Sequence, residues 1–170
     1  MGCFTMKELA NHVENISYQY LSKYNKNRLV FDPYLVAKKK GIRIDFVSGR
    51  KYQNVVARIA TSRNNQLHFF VRANTTQENR VVLLTYLLVY VEFYWTEKTS
   101  AVFYNTVFDT KKNSETVQGK ILTHFVQSVL LPEPYVRLMW SIHEDVQVVS
   151  KIFAVPETML TDTLSRYHIS

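Results

Sequence analysis

The longest apolar run in the sequence, Glu78 to Trp95 (ENRVVLLTYLLVYVEFYW), constrains the fold more than any other feature. Thr75 and Glu78 fit a T-x-x-E capping box, which predicts a helix start just ahead of the run. Apolar residues recur at helical spacing and fill most of the remaining positions. A helix that is hydrophobic on nearly all sides belongs in the centre of a core. The apolar part is about fifteen residues long and contains Glu92, so it falls short of the roughly 20 residues that a membrane span needs.

Composition and charge narrow the class of protein. Of the 170 residues, 46% are hydrophobic and only four are glycine, which is typical of a packed fold and argues against disorder. The formal charge of +7 permits an acidic partner, nucleic acid included. The single cysteine, Cys3, excludes a disulfide framework, and the first residues show no secretory signal pattern. We therefore predict a cytoplasmic protein without a membrane partner.

The order of periodic segments predicts an α+β fold. A capping box at Thr5 starts a first helix, and Asp32-Pro33 starts a second one that Gly41 ends. Three strands then follow, joined by short turns that favour antiparallel pairing in at least part of the sheet: Ile42 to Phe46, Val55 to Ala60 and Leu67 to Arg72. After the central helix come a short apolar stretch, Val102 to Val107, and further helices, which are predicted from Ser114, over Tyr135 to Ile142, over Asp145 to Phe153 and over Pro156 to Tyr167. A small three-stranded sheet packed by helices is the expected architecture.

Four stretches in this order resemble one known family. They are DPYLVAKKKGIRI, FFVRANTTQENRVVLLTYLLVY, FVQSVLLP and EDVQVVSKIFAVPETMLTDTLSRY. In the same order, these stretches are similar to four segments of the ImmA/IrrE family of zinc peptidases: the opening helix and strand, the strand and active-site helix, the second helix, and the closing helix-turn-helix-like segment. The resemblance implies a zincin-like domain over residues 1–131, including the N-terminal helix, and a helical C-terminal segment over 132–170 packed on it.

The family's catalytic residues are absent from this sequence. In the family, an HELGH motif supplies two zinc ligands and the general base, and a glutamate on the second helix supplies the third protein ligand. Counted from Arg80 and from Phe125, these positions hold Thr85, Tyr86, Val89 and Ile121. Valine and isoleucine carry no lone pair, and the hydroxyls of threonine and tyrosine are poor zinc ligands. We therefore expect a catalytically inactive relative that holds neither a metal nor another cofactor.

An enzyme with a relocated site is one alternative. Glu92 lies on the same helical face as Thr85 and Val89, and His124 shares a face with Ile121. A Glu92–His124 pair facing the old site would therefore be available for acid–base or metal chemistry. The plainer interpretation is a carboxylate at a helix end and an unrelated structural histidine.

A basic regulator that binds nucleic acid is the other alternative. Positive charges gather near the predicted strands and would form one basic face: Lys38, Lys39, Lys40, Arg50, Lys51, Arg58, Arg63 and Arg72. The lysine triplet also has a simpler explanation, since cations at a helix C-terminus favour the helix dipole. The helix-turn-helix-like tail offers Glu157 and Asp162 where a DNA-reading helix needs basic side chains, which indicates a structural or protein-binding unit.

The resemblance leads to the main functional hypothesis. Relatives of this kind occur beside repressors on phages and mobile elements, where they control lysogeny or transfer by acting on a helix-turn-helix repressor. An inactive member in the cytoplasm of a bacterial host is expected to act by protein–protein binding, either to such a repressor or to a host protein.

Overall fold

The computed structural model describes residues 6–26, 28–49, 55–62, 64–95, 100–104 and 116–170. Over these residues the chain forms seven helices and four strands, so the predicted α+β class is confirmed. It divides into two compact units. We call Asp32–Thr116 the sheet unit and Met1–Phe31 with Val117–Ser170 the terminal unit. The predicted division between residues 131 and 132 lies inside the terminal unit.

The helices and strands have the following bounds. The helices are α1 Met6–Tyr24, α2 Pro33–Lys39, α3 Gln77–Tyr94, α4 Val117–Leu130, α5 Glu133–His143, α6 Val146–Phe153 and α7 Glu157–Arg166. The strands are β1 Arg43–Val47, β2 Val55–Thr61, β3 Leu67–Arg72 and β4 Ser100–Tyr104. Among these described helices, none is long and apolar enough to cross a membrane.

The sheet has one strand more than the sequence predicts. Its strand order is β1-β3-β2-β4. The β2–β3 hairpin is antiparallel as expected, whereas β1 pairs with β3 in parallel. The expectation of three strands was wrong because β4, a five-residue strand (SAVFY), obtains its hydrogen bonds from the distant β2 and shows no long alternation of its own.

One face of the sheet carries the core of the sheet unit, and α3 lies on it. Alternate residues of β2 and β3 on this face are buried to 0–1% exposure: Ala57, Ile59, Phe69 and Val71. From β4, the Phe103 ring meets the Tyr86 and Tyr90 rings of α3 edge-on, with ring centres 6.0 and 5.1 Å apart. The guanidinium of Arg80, also on α3, lies 4.7 Å from the centre of the Phe46 ring.

The central helix forms where predicted but begins one residue later. Thr76, rather than Thr75, is the N-cap, and its hydroxyl accepts a hydrogen bond from the backbone N–H of Asn79 at 3.3 Å. Thr75 instead belongs to the turn after β3, where its N–H donates to the carbonyl of Arg72. The residues from 81 to 89 are buried with the exception of Tyr86, so the expected all-round burial is confirmed.

Where the structure describes it, the terminal unit forms helices and no strands. In it α1 packs on α4, with Tyr20 edge-on to Phe125 at 5.8 Å between ring centres. Asp145 caps α6 by accepting hydrogen bonds from two backbone N–H groups, and Ala154 ends this helix in the left-handed conformation. The predicted tail helices are therefore confirmed to within a residue or two at their ends. The predicted start of α4 at Ser114 lies outside the described residues.

Candidate functional site

Three α3 residues that the resemblance aligns with the HELGH motif, Thr85, Tyr86 and Val89, are packed in this protein. Thr85 is fully buried, and its hydroxyl donates to the carbonyl of Val81 in the same helix at 2.8 Å. Val89 is 1% exposed. Tyr86 is half-buried, and burial raises its pKa to about 12, so the phenol keeps its proton at neutral pH. Thr85 and Val89 therefore serve as core packing residues, and the ring of Tyr86 packs edge-on against Phe103.

The fourth family position, Ile121, lies on α4 in the terminal unit and is half-buried. An isoleucine has no donor atom, so it cannot replace the glutamate of the family. The described residues also contain no group of three or more His, Cys, Asp or Glu side chains arranged to hold a metal ion. The loss of catalysis remains a prediction that only an activity or metal assay tests.

Glu92 has a structural partner within the sheet unit. Its carboxylate forms an ion pair with the ammonium of Lys40, the residue that ends α2. Both side chains are largely shielded, with 20% of Lys40 and 23% of Glu92 exposed. The pair ties the C-terminal end of α2 to the last turns of α3.

His124 belongs to a different network, in the terminal unit. Arg166 Nη1 lies 3.0 Å from its Nδ1. Because an arginine only donates, Nδ1 accepts and the ring proton sits on Nε2, which lies 3.6 Å from Glu14 Oε1. Arg166 also donates to Gln127 Oε1 at 3.1 Å and to the Tyr167 hydroxyl at 2.7 Å. Glu92 and His124 thus each have ordered partners in their own unit, and a joint site built from the two stays a prediction.

Tyr167 closes this network inside the terminal unit. Its hydroxyl donates to the backbone carbonyl of Leu131 at 3.0 Å while it accepts from Arg166. Burial is the main reason that its pKa is raised to about 12. Arg137 binds the carbonyl of Tyr167 at 2.7 Å, which holds the end of α7 against α5. These hydrogen bonds therefore hold the helices of the terminal unit together.

The predicted basic residues fall into separate groups. Lys38 and Lys39 are exposed at the end of α2, and Lys40 is engaged with Glu92. Arg50, Lys51 and Arg63 lie outside the described residues. Arg58 on β2 and Arg72 on β3 share the sheet face opposite to α3, since their strand neighbours point into the core. Of the five predicted basic residues that the structure describes, two therefore share one face of the sheet.

An exposed apolar stripe runs along α5, and its exposure was not predicted from the sequence. Its members are Tyr135, Leu138 and Ile142, which are 39%, 51% and 60% exposed. Their spacing of three and four residues places them on one face of the helix. The periodicity was visible in the sequence and predicted the helix correctly. Such a pattern normally marks the buried side, so only the structure reveals that this stripe faces solvent.

A pocket of about 400 Å³ adjoins the stripe. Tyr135, the first residue of the stripe, lines it together with Tyr18 of α1. The lining of the pocket also includes Lys26 and Arg28, which follow α1. Through Tyr135 the stripe adjoins the pocket, whose lining carries two cationic residues, so the stripe and the pocket are treated as one surface. We call it the α5 surface.

Comparison with known proteins adds no relative. No protein-family model matches the chain, and no curated protein matches it at a significant level. The likeness to the ImmA/IrrE family therefore rests on the four segments quoted above and on the order of the elements.

Proposed function

We propose that this protein is an inactive ImmA/IrrE-like regulatory protein that acts by binding a protein partner through the α5 surface. The observation that carries the proposal is the exposure of Tyr135, Leu138 and Ile142 along one helix face. Single exposed apolar residues are common on protein surfaces, but a contiguous patch next to a pocket is typical of a site that a partner covers. Tyr18, which is 40% exposed and lines the pocket, extends this patch onto α1.

The packing of α3 supports the inactive part of the proposal. A buried histidine or carboxylate without its metal would cost free energy, since an unpaired polar group in a core is unfavourable. Thr85 bonds to its own helix and Val89 is apolar, so neither creates such a cost. The sheet unit can therefore fold without a metal, which suits a protein that is retained for its surface.

The resemblance suggests the kind of partner and the setting. In a phage or mobile element the expected partner is a helix-turn-helix repressor, and a host protein is the other candidate. The zincin-like identity of the fold and the helix-turn-helix-like identity of α6 and α7 belong to the same proposal. The acidic first turn of α7, with Glu157, fits a structural or protein-binding tail better than one that contacts phosphates.

The test compares binding by the wild-type protein with binding by Leu138→Asp and Ile142→Asp. A partner captured from the native host is identified by mass spectrometry, purified and titrated by calorimetry against each variant. Each substitution places a charge in the apolar patch, so we expect affinity to fall at least about tenfold. Thr161→Asp, at an exposed position of α7 in the same unit, adds the same charge elsewhere and should leave binding unchanged. Equal affinity for all the variants would refute the α5 surface as the binding site.

A further inference from the structure

The sheet unit has a second surface of distinct chemistry. We call it the outer face, and it lies on the side of the sheet opposite to α3. Strand alternation places on it Arg43 and Asp45 of β1, Arg58 of β2, His68, Phe70 and Arg72 of β3, and Val102 of β4. Arg58 is exposed and Val102 is 44% exposed, so this part of the sheet meets solvent.

Phe70 lies at the centre of the outer face. It is half-buried, and it pairs across the sheet with Asp45 on one side and Arg58 on the other. The ring of His68 stacks on it, with ring centres 5.9 Å apart and planes inclined by 25°. The His68 side chain is 17% exposed, so the pair meets solvent over part of its surface, where another planar ring can stack on it.

Positive charge surrounds this aromatic pair. Arg58 is the direct cross-strand neighbour of Phe70, and Arg72 lies on the diagonal from Arg58, at about 7–8 Å between Cα atoms. The carboxylate of Asp45 accepts a hydrogen bond from Arg43 Nε at 3.0 Å and faces His68 Nδ1 at 3.5 Å. The one described acid of the outer face is therefore partly compensated by its own neighbours, and the face remains positive.

We propose that the outer face binds single-stranded nucleic acid, with a base stacked on the Phe70–His68 pair and phosphates held by Arg58, Arg72 and Arg43. Aromatic side chains on a sheet bind unpaired bases by stacking, and arginines supply the sequence-independent attraction to phosphate. In a duplex the base faces are already stacked on one another, so this arrangement favours single strands. RNA and DNA share the required chemistry, namely a base face next to phosphate.

The experiment uses fluorescein-labelled oligonucleotides of about 12 nucleotides, a length that spans one such surface. Oligouridine, oligothymidine and a duplex of equal length are titrated with the full chain and followed by fluorescence anisotropy from about 50 to 200 mM KCl. We expect both single strands to bind more tightly than the duplex. With about three phosphates contacted, the logarithm of the affinity should fall with the logarithm of the salt concentration at a slope of about −2.

Variants separate stacking from charge. Phe70→Leu keeps an apolar side chain and removes the stacking surface, so affinity should fall roughly tenfold, while Phe70→Tyr should retain it. Arg58→Ala should make the salt dependence shallower, reducing the magnitude of the slope by about 0.7, and Arg58→Lys should restore the original slope. Lys151→Ala, at an exposed position of the terminal unit, is the matched control and should change nothing. Circular dichroism of each variant confirms that it is folded.

Several results would overturn the proposal. They are no binding at the lowest salt concentration, equal affinity for the duplex, unchanged affinity in Phe70→Leu, and displacement of the oligonucleotide by polyglutamate at the same charge concentration. The last result would identify the outer face as a general site for acidic chains, proteins included. Leu138→Asp should leave oligonucleotide binding intact, so failure here and failure of the α5 surface are distinguishable.

Discussion

The ion pair between Lys40 and Glu92 should contribute measurably to the stability of the sheet unit. The two residues are 52 positions apart, and their side chains are only 20% and 23% exposed. Exposed pairs contribute 0–1 kcal/mol, whereas a hydrogen bond to a charged group contributes about 1.5–3 kcal/mol when it is shielded from water. A pair with about one fifth of its surface exposed lies between these limits, so we expect a coupling free energy of about 1–2 kcal/mol.

A double-mutant cycle measures this coupling directly. The variants are Lys40→Met, Glu92→Gln and the two combined, and the free energy of unfolding is obtained from urea titrations. Each single substitution leaves one partner without its ion pair, so the double variant should lose about 1–2 kcal/mol less than the sum of the single losses. In a chain of 170 residues each kcal/mol corresponds to roughly 2–4 °C in Tm, which calorimetry resolves.

The pair between Glu133 and Arg137 provides a matched control within the same chain. It joins positions i and i+4 of α5, and its side chains are 35% and 50% exposed. The same cycle there should give only about 0.3–0.5 kcal/mol. A coupling between Lys40 and Glu92 that does not exceed that of the control, or that about 0.5 M KCl abolishes, would show that the pair is not shielded from water.

The same variant distinguishes two roles for Glu92. A structural carboxylate predicts that Glu92→Gln lowers the free energy of unfolding and that Lys40→Met does so in parallel. A relocated catalytic site with His124 predicts lost activity at unchanged stability. The two results are readily told apart.

Three further predictions concern the cores of the two units. Thr85→Val should change the free energy of unfolding by less than about 1 kcal/mol, because the lost hydroxyl bonded only within its own helix. Thr85→His should lower the free energy of unfolding by about 2 kcal/mol or more, because it overfills a fully buried position. Urea titration measures both effects. Leu87→Ala should cost about 3–5 kcal/mol, since Leu87 is 0% exposed, and a loss below about 1 kcal/mol would contradict the assigned core. Tyr167, whose pKa is raised to about 12, keeps its proton when folded and loses it above about pH 10 when unfolded. The free energy of unfolding is therefore unaffected by this group below about pH 10 and falls between about pH 10 and 12. Tyr167→Phe should make this decline less steep, and an unchanged decline in that variant would contradict the assignment.

Local signals in the sequence located most of the helices. Asp32 followed by a proline gave the start of α2, and its carboxylate accepts from the backbone N–H of Leu35 at 3.1 Å. The starts of the two tail helices were equally predictable, because Asp145 caps α6 and Pro156 precedes α7. Caps and helix breakers act over three or four residues, so their effect is visible without knowledge of the fold.

Strand pairing and surface exposure were less predictable. β4 was missed and β1 was not assigned to β3, since both depend on hydrogen bonds between residues far apart in sequence. The start of α3 moved from Thr75 to Thr76 because the turn after β3 engages Thr75 first. The partners of the two candidate residues, Lys40 for Glu92 and Arg166 for His124, likewise come from distant segments.

The sequence by itself determined that α3 is a core helix, and it predicts that Thr85, Tyr86 and Val89 are poor zinc ligands. Both statements follow from side-chain chemistry and helical period, which need no tertiary contact. Only the tertiary structure decided which apolar stripe stays exposed and which basic residues share a sheet face. The spacing of Leu138 and Ile142 is the same whether the stripe is buried or free, and Arg58 joins Phe70 only through the pairing of β2 with β3. The proposed functions depend on these two surfaces, because packing between distant segments determines what solvent and partners can reach.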